Sequence, residues 1–598
     1  MSRVFFLRGV FKICGIVGFH IKGDRYQSYV KLKKCTGSLV HRGPDSEGIY
    51  LDDFMALGMR RLSIRDLAFG EQPYYNERKN VVVVFNGEIY NNDRLRCWLE
   101  SRGHTIDSQS DGAILPHLYE EKGERLFEEL DGMFALAIWD AEKKILLLSV
   151  DSAGIKPLYY TIQSDNEFVF ASEIKTIHQF DKRPFELDPS AIGSYLLFKS
   201  IPTPYTPYKK IRKLKPGEVL IYKTQDQKLV RKYFQPHVST ITDPFKEFFY
   251  EQVRTTMLSD VKVGCIASGG LDSNLVLKAM AEQMDEPVPV FTVGYPIETE
   301  DDERIYAQQM TKEVNGHFHS VLLNPLEVPE MLEEVIWHLD EPNQDPITLP
   351  YYALMREVKE HCKVVLTGDG SDEFFGGYSR FHHWDKNVGL DVTQSQYISD
   401  LLLFSDTQLK EILILQNNAW EPYAEPIQQL NQVRSLKGAM EWEQKFRLPS
   451  YHLNRVDKLS MAWGVEARVP FLRPSMIAQA RLLSTGDLRI DGVEKVWLKD
   501  QASQFMPRWL IERKKKPFTF PMQGWMRDQW KNWIYETLFS SNSIICNFVH
   551  KNSLLSIWNM HQKGADYSHH LWSFIVLETF LQLQKGSFNS LYQDQRAG

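Results

Sequence analysis

The sequence predicts two domains of α+β and α/β class. The N-terminal one is built of stacked sheets with flanking helices, and the C-terminal one of a parallel α/β sheet with a helical tail. Three observations predict this. The 598 residues exceed the ~100–200 that one core usually serves. Residues 14–180 are rich in short apolar, β-branched runs bounded by turns. From residue 245 onward strand-like and helix-like segments alternate, as in a parallel sheet.

In chain order, VVVVFNGEIY (81–90), FALAIWD (134–140) and ILLLSV (145–150) have the length and β-branched content of buried strands. IPTPYTPYKK (201–210) interrupts them, because proline fixes φ and lacks an N–H, and it is expected to be a linker or an exposed loop. GEVLIYK (217–223) reads as one more strand, which places the domain boundary between about 200 and 240. The expected division is 14–225 and 240–585. Beyond it, a helix-like FKEFFYEQVRTTM leads into VKVGCIASGGLDS. The helix NLVLKAMAEQM (274–284) precedes the strand PVFTVGYP (289–296), and KVVLTGDG (363–370) follows another helix. Residues 440–585 read mostly helical.

Composition narrows the function classes. Hydrophobic residues make up 43% and charged residues 25%, the balance of a globular protein. A net charge of -7 provides no basic footprint for nucleic acid. No run approaches the ~20 apolar residues of a membrane helix. The six cysteines are scattered without a CxxC pair, which fits a reducing, cytoplasmic setting and argues against a disulfide scaffold or a zinc site.

Two glycine-rich turns suggest a nucleotide site. Ser268-Gly269-Gly270-Leu271-Asp272-Ser273 follows an apolar strand and opens a helix, where small residues admit a phosphate to free N–H donors. It lacks the Walker lysine. Thr367-Gly368-Asp369-Gly370-Ser371-Asp372-Glu373 also ends a strand, and loops at the carboxyl ends of parallel strands converge on one crevice. Asp272 and Asp372 are candidates to hold Mg²⁺ on ATP phosphates.

A second site is expected around Cys14-Gly15-Ile16-Val17-Gly18. A cysteine with a free α-amine carries its own base for nucleophilic attack. HRGPDSEG (41–48) and Arg61-Leu62-Ser63-Ile64 offer a guanidinium for a free amino acid's carboxylate. Asn86-Gly87-Glu88 offers an amide and a backbone N–H for an oxyanion, and Ser110-Asp111 a carboxylate for an α-ammonium group.

These segments, in this order, resemble the asparagine synthetase family, together with GIKPLYY (154–160), DEPNQDP (340–346), RVDKLSMAWGVEARVPFL (455–472) and RKKKPF (513–518). The resemblance runs from Cys14 to about residue 530. It implies an N-terminal αββα Ntn-hydrolase (class II glutaminase) sandwich and a C-terminal ATP pyrophosphatase domain. By that resemblance Cys14 is the glutaminase nucleophile. Arg61, Leu62, Ser63, Ile64, Asn86, Gly87, Glu88 and Asp111 bind glutamine, with Asn86 and the Gly87 N–H as the oxyanion hole. Ile266, Val293, Thr367 and Gly368 line the adenosine pocket, and Ser268, Gly269, Gly270, Asp272, Ser273 and Arg455 meet the phosphates. Asp369 stands where the family has an acid for acyl-adenylate chemistry, and Lys515 stabilises the α-phosphate. The implied reaction is conversion of aspartate to asparagine through β-aspartyl-AMP, with ammonia drawn from glutamine through an internal tunnel and AMP and pyrophosphate released. The substrates are glutamine, ATP with Mg²⁺, and aspartate, and the chain is compatible with a homodimer. Amidation of another carboxylate, such as a uronic acid or a natural-product precursor, and a silent binding protein on the same scaffold are the rival readings.

Four positions depart from the family pattern: Asn274 after SGGLDS, Val150 before Asp151, Arg473 after PFL, and the thirteen residues ahead of Cys14. MSRVFFLRGVFKI is basic and apolar, too short for a signal peptide with its cleavage site. It reads as a misplaced start, a removed propeptide, or a retained leader on an ammonia-dependent enzyme, with the first two favoured.

Overall fold

The computed structural model of the chain describes residues 14–585 apart from 44, 63, 67–69, 163–166, 181–184, 239–242, 297–301, 386–388, 415–421 and 515–520. Among the described residues, the N-terminal half contains strands β1 (Gly15–His20), β2 (Ser46–Leu51), β3 (Met55–Arg61), β4 (Tyr74–Tyr75), β5 (Val81–Ile89), β6 (Gly132–Asp140), β7 (Ile145–Val150), β8 (Tyr159–Ile162), β9 (Phe168–Ala171), β10 (Ile211–Lys213), β11 (Glu218–Lys223) and β12 (Lys228–Tyr233). They form two six-stranded sheets, ordered β10-β8-β9-β1-β3-β2 and β12-β11-β7-β6-β5-β4. Neighbours run antiparallel, as where Asn86 of β5 lies opposite Ala135 of β6.

The apolar run of β5 is explained by burial on both faces. Val82 and Val84 pack against Met55, Leu57 and Met59 of the other sheet. Val81, Val83 and Phe85 point the opposite way, onto Leu95, Leu99, Leu115 and Leu118 of helices Asn92–Glu100 and Leu115–Lys122. The period of two is present, but both sets of side chains meet apolar partners, so no polar residue marks a solvent face. Helices Arg25–Gly37 and Ile174–Phe180 cover the outer face of the first sheet, which completes an αββα sandwich.

The C-terminal half holds a five-stranded sheet made of β13 (Val263–Ile266), β14 (Pro289–Gly294), β15 (His317–Leu322), β16 (Val364–Leu366) and β17 (Glu466–Arg468), ordered β15-β14-β13-β16-β17 with parallel pairing. The chain moves to one side of β13 for β14 and β15, then to the other side for β16. The carboxyl ends of β13 and β16 therefore flank a topological switch point, where open α/β sheets place their ligands. The tail is helical, and ten residues within it, Glu443–His452, form a π-helix. Among the described residues no helix is long and apolar enough to cross a membrane, and all six cysteines are free.

The proline-rich stretch is neither exposed nor a simple linker. Ile201, Thr203, Thr206 and Tyr208 are buried. The Tyr205 ring stacks on Tyr423 of the C-terminal half at 3.5 Å, and the Thr206 hydroxyl donates to the Ile211 carbonyl at 2.9 Å. Its backbone is tied to residues 186–188, the Asp188 N–H donating to the Pro207 carbonyl at 2.8 Å and the Lys209 N–H to the Glu186 carbonyl at 3.0 Å, and its prolines bring no N–H that burial would leave unpaired.

Candidate functional site

Cys14 precedes β1, and β1 pairs with β3, whose end carries Arg61. This register brings the Leu62 N–H to 3.2 Å from the Cys14 sulfur. Burial pushes the Cys14 thiol up to about 12, although the Leu62 hydrogen bond, Arg61 and Lys156 pull the other way. At neutral pH the group is a thiol, and attack by it requires a base. The Arg61 guanidinium is shaped by its own turn, donating to the carbonyls of Arg65 at 3.0 Å and Asp66 at 2.7 Å. Ser63 lies outside the described residues. Leu62 and Ile64 are buried, and the Ile64 carbonyl accepts from the Asp260 N–H of the other half at 3.0 Å.

On β5, the Asn86 side chain is fully buried and neither its amide nitrogen nor its oxygen has a hydrogen-bond partner among the described residues. An orphaned buried amide costs about 1–3 kcal/mol, and this one keeps both polar atoms available to a further partner. Gly87 beside it has φ +150°, and a Cβ there would lie 2.0 Å from the Met133 carbonyl oxygen, so only glycine fits. Asp111 is buried, with Oδ2 accepting from the Ile89 N–H at 2.7 Å. Burial raises its carboxyl, with the Ile89 hydrogen bond opposing. The Glu88 carboxylate meets Arg65 at 2.8 Å and Arg468 of the C-terminal half at 3.0 Å.

In the C-terminal half the two glycine-rich loops close on each other. A Cβ on Gly368 would stand 2.7 Å from the Ser273 nitrogen, so the absence of a side chain is what permits the approach. The first loop is tied by its own hydroxyls, with the Ser268 N–H donating to Ser273 Oγ at 3.0 Å and the Gly270 N–H to Ser268 Oγ at 3.1 Å. Across the gap, Ser371 Oγ donates to Asp272 at 2.9 Å. The Lys495 ammonium lies 2.5 Å from both Asp272 and Asp372, and these two carboxylates hold it charged against the cost of its burial. Asp369 accepts from the Thr367 hydroxyl at 2.6 Å and from Arg455 at 3.3 Å. Arg455 also pairs with Asp345 of the DEPNQDP segment. Ile266 ends β13 and Val293 lies on adjacent β14, both half-buried beside the crevice. Lys515 lies outside the described residues. Arg513, two residues before it, donates to the Gly269 carbonyl at 2.7 Å.

Between the two halves runs a buried chain of charges that sequence reading missed. Arg42 of HRGPD donates to the Cys14 carbonyl at 3.2 Å, to Glu173 at 3.1 Å and to Asp457 at 2.9 Å. Lys156 of GIKPLYY meets the other Asp457 oxygen at 3.1 Å. Glu173 continues to Lys175 at 2.6 Å, Lys175 to Asp340 at 2.9 Å, and Asp340 to Lys458 at 2.6 Å. Burial raises Asp457, but Arg42 and then Lys156 outweigh it and hold the carboxyl below its ordinary value. Partners so distant in sequence leave no local pattern. Arg42 in HRGPD and Asp457 in RVDKLS sit among polar neighbours, and only Lys156 of GIKPLYY stands in an apolar setting that marks it.

Three of the departures acquire a structural account. The Asn274 amide donates to the carbonyls of Ser268 at 2.9 Å and Gly270 at 2.7 Å, bracing the first loop from within the helix. Val150 is buried in the core between the two sheets. Arg473 pairs with Asp131 of the N-terminal half at 2.5 Å and donates to the Gln252 carbonyl at 3.2 Å.

Residues 245–583 match the model of the family described as asparagine synthase, and residues 13–234 match that of the glutamine amidotransferase domain. The chain is 28% identical to asparagine synthetase [glutamine-hydrolyzing] 1 of Bacillus subtilis, covering 94% of this chain and 96% of that protein. It is 28% identical to asparagine synthetase B [glutamine-hydrolyzing] of Escherichia coli, covering 85% of this chain and 82% of that one. A putative asparagine synthetase [glutamine-hydrolyzing] 2 of Methanocaldococcus jannaschii is 32% identical, covering 61% of this chain and 76% of that one.

Proposed function

We propose, from the premise that this chain belongs to the asparagine synthase family and carries a glutamine amidotransferase domain, that it makes asparagine from aspartate. The broader activity is that of a glutamine-hydrolysing, ATP-using carbon–nitrogen ligase. The finer reading draws its support from the closure of the two glycine-rich loops on Asp272, Asp372 and Asp369, and from relatives named asparagine synthetases over most of their length.

In the N-terminal sandwich the Cys14 thiol attacks the γ-carboxamide carbon of glutamine. Removal of residues 1–13 would supply the base, the α-amine of Cys14, for a thiol that burial otherwise keeps protonated. The orphaned Asn86 amide and the Gly87 N–H receive the oxygen as it gains negative charge. Arg61 and Asp111 bind the carboxylate and ammonium groups of the substrate. Ammonia leaves, and water hydrolyses the thioester.

In the C-terminal half a β-carboxylate oxygen of aspartate attacks the α-phosphorus of ATP and pyrophosphate departs. Arg455 and Lys515 would face the developing phosphate charge. Asp272 and Asp372 would hold Mg²⁺ through the part of each carboxylate that stays open to solvent, beside the Lys495 ammonium they share. That ion would neutralise charge on the phosphates. Ammonia then displaces AMP from the acyl carbon. Passage inside the protein keeps the ammonia from being protonated in bulk water.

The test is purified protein with ATP, Mg²⁺, glutamine and aspartate, assayed for pyrophosphate and asparagine, with intact-mass measurement of the first residue. The expectation is aspartate-dependent pyrophosphate release and equimolar asparagine. Pyrophosphate release indifferent to aspartate would overturn the acceptor. Cys14→Ala is expected to abolish glutamine use and leave ammonia use intact, and loss of both would refute the division of labour.

A further inference from the structure

Away from both crevices, the outer edge of the second sheet gathers two histidines and two glutamates from separate segments. Glu77 lies in the turn between β4 and β5, His104 follows helix Asn92–Glu100, and His117 and Glu120 are three residues apart on helix Leu115–Lys122. One ligand atom from each of the four residues lies within 4.8 Å of all the others. The two Glu77 oxygens already divide between the rings, one at 3.2 Å from His104 Nδ1 and the other at 3.1 Å from His117 Nδ1. The rings stand edge to face, with centroids 5.2 Å apart.

We propose that Glu77, His104, His117 and Glu120 form a binding site for a divalent transition-metal ion of the zinc class. Two imidazoles and two carboxylates are a donor set suited to Zn²⁺, whereas Mg²⁺ prefers oxygen alone. Four ligands about 2.1 Å from a tetrahedral ion stand about 3.4 Å apart, so the cluster closes with side-chain shifts of about 1 Å. The donors come from imidazoles and carboxylates, so the scattered cysteines do not bear on it.

Two further features belong to a metal centre. The His104 nitrogen turned away from Glu77, Nε2, meets Glu121 at 3.4 Å. A carboxylate behind a ligating histidine fixes the ring and its tautomer in metal sites. His117 is buried and presents Nδ1 to Glu77 at 3.1 Å, so its ring is already held in place. An ion would replace the direct Glu77 contacts of the two rings and draw Glu120 from Arg78, now 3.0 Å away, whose side chain is 73% exposed.

The position of the cluster shows what a bound ion would secure. Residues 105–110 connect His104 to Asp111, and Asp111 leads through the short turn Asp111–Ile114 into the helix carrying His117. Ligands at both ends would brace this segment, which also touches the Arg61 turn through Ser108 Oγ donating to Asp66 at 2.8 Å.

The experiment is equilibrium titration of tag-free, chelator-stripped full-length protein with Co²⁺ and with Zn²⁺. It is read by visible absorption of four-coordinate Co²⁺, by bound-metal content after gel filtration and by melting temperature. We expect one equivalent bound and a higher melting temperature with metal. In His104→Ala the affinity is expected to fall by at least the ~10–100-fold that loss of an outer partner alone costs. Glu120→Gln, on the partly exposed rim, gives a second variant should His117→Ala fail to fold. His319→Ala, in the other cluster formed by His319, Glu357 and His361, is expected to leave uptake unchanged. Absence of stoichiometric uptake, or uptake equal to wild type in both His104→Ala and Glu120→Gln, would overturn the proposal. Loss of uptake only in His319→Ala would transfer the site elsewhere and equally overturn it.

Discussion

The Arg42 guanidinium of the N-terminal sandwich lies 2.9 Å from the Asp457 carboxylate of the C-terminal half, with both side chains essentially inaccessible to water. The same guanidinium donates to the carbonyl of Cys14. Breaking one partner of a buried pair leaves the other desolvated and uncompensated. Asp457→Ala is therefore expected to destabilise the protein by about 3–5 kcal/mol, measured by urea unfolding. In protein that still folds, more glutamine should be hydrolysed per asparagine formed. An unchanged ratio of glutamate to asparagine would show that the joint holds the halves together without serving the transfer.

The pH dependence has a definite sign. Asp457 is held below its ordinary value of 3.8 in the folded state. Its stabilising contribution is complete above that value and disappears as pH falls further, through the folded value. The stability difference between wild type and Asp457→Asn should be constant from pH 5 to 7 and shrink below about pH 3.9. A difference that grew on acidification would contradict the assignment.

Asn86→Ala tests the orphaned amide. Loss of one oxyanion donor costs about 10²–10³ in kcat, so glutaminase turnover should drop by that factor while ammonia-dependent synthesis persists. Stability should change little, because the substitution removes an unsatisfied buried amide and breaks no hydrogen bond among the described residues. A large destabilisation would point instead to a packing role.

Lys495→Met removes the cation shared by Asp272 and Asp372. The two carboxylates then repel, and a displacement of about 1 Å at such a site costs roughly a hundredfold. Pyrophosphate release at saturating ATP should fall by that order, with glutamine hydrolysis retained. Equal loss of both activities would indicate misfolding.

Asn274→Ser shortens the side chain that braces the first loop. Two hydrogen bonds to backbone carbonyls are lost, with a net cost of about 1–3 kcal/mol. The melting temperature should fall unless a serine hydroxyl reaches one of the two carbonyls. A shift in KM for ATP without loss of stability would assign Asn274 to nucleotide binding instead.

The sandwich and the parallel sheet were legible because their strands are local apolar runs, and because glycines stand where two loops approach. Asn86-Gly87, which lies within β5, was visible for its glycine as well. Lys495 was not, since it lies 223 residues from Asp272 and its segment carries no phosphate-loop motif to mark it. Arg42 and Asp457 are 415 residues apart, and each looks locally like an ordinary surface charge. The proline-rich stretch misled in the opposite direction: composition suggested exposure, whereas prolines also suit buried chain that has no N–H to pair. The Glu77, His104, His117 and Glu120 cluster was equally invisible, since three separate segments meet only in the fold.

Helix Leu453–Met461 carries Arg455 toward Asp369 and, two residues later, Asp457 toward Arg42. Two neighbouring positions on one short rod thus grip opposite workshops of the molecule. A rotation that loosens the grip on one is felt at the other, since a close-packed helix turns as a whole. Any coupling of carboxylate activation to ammonia supply that runs through this helix would have about two and a half turns of backbone as its axis.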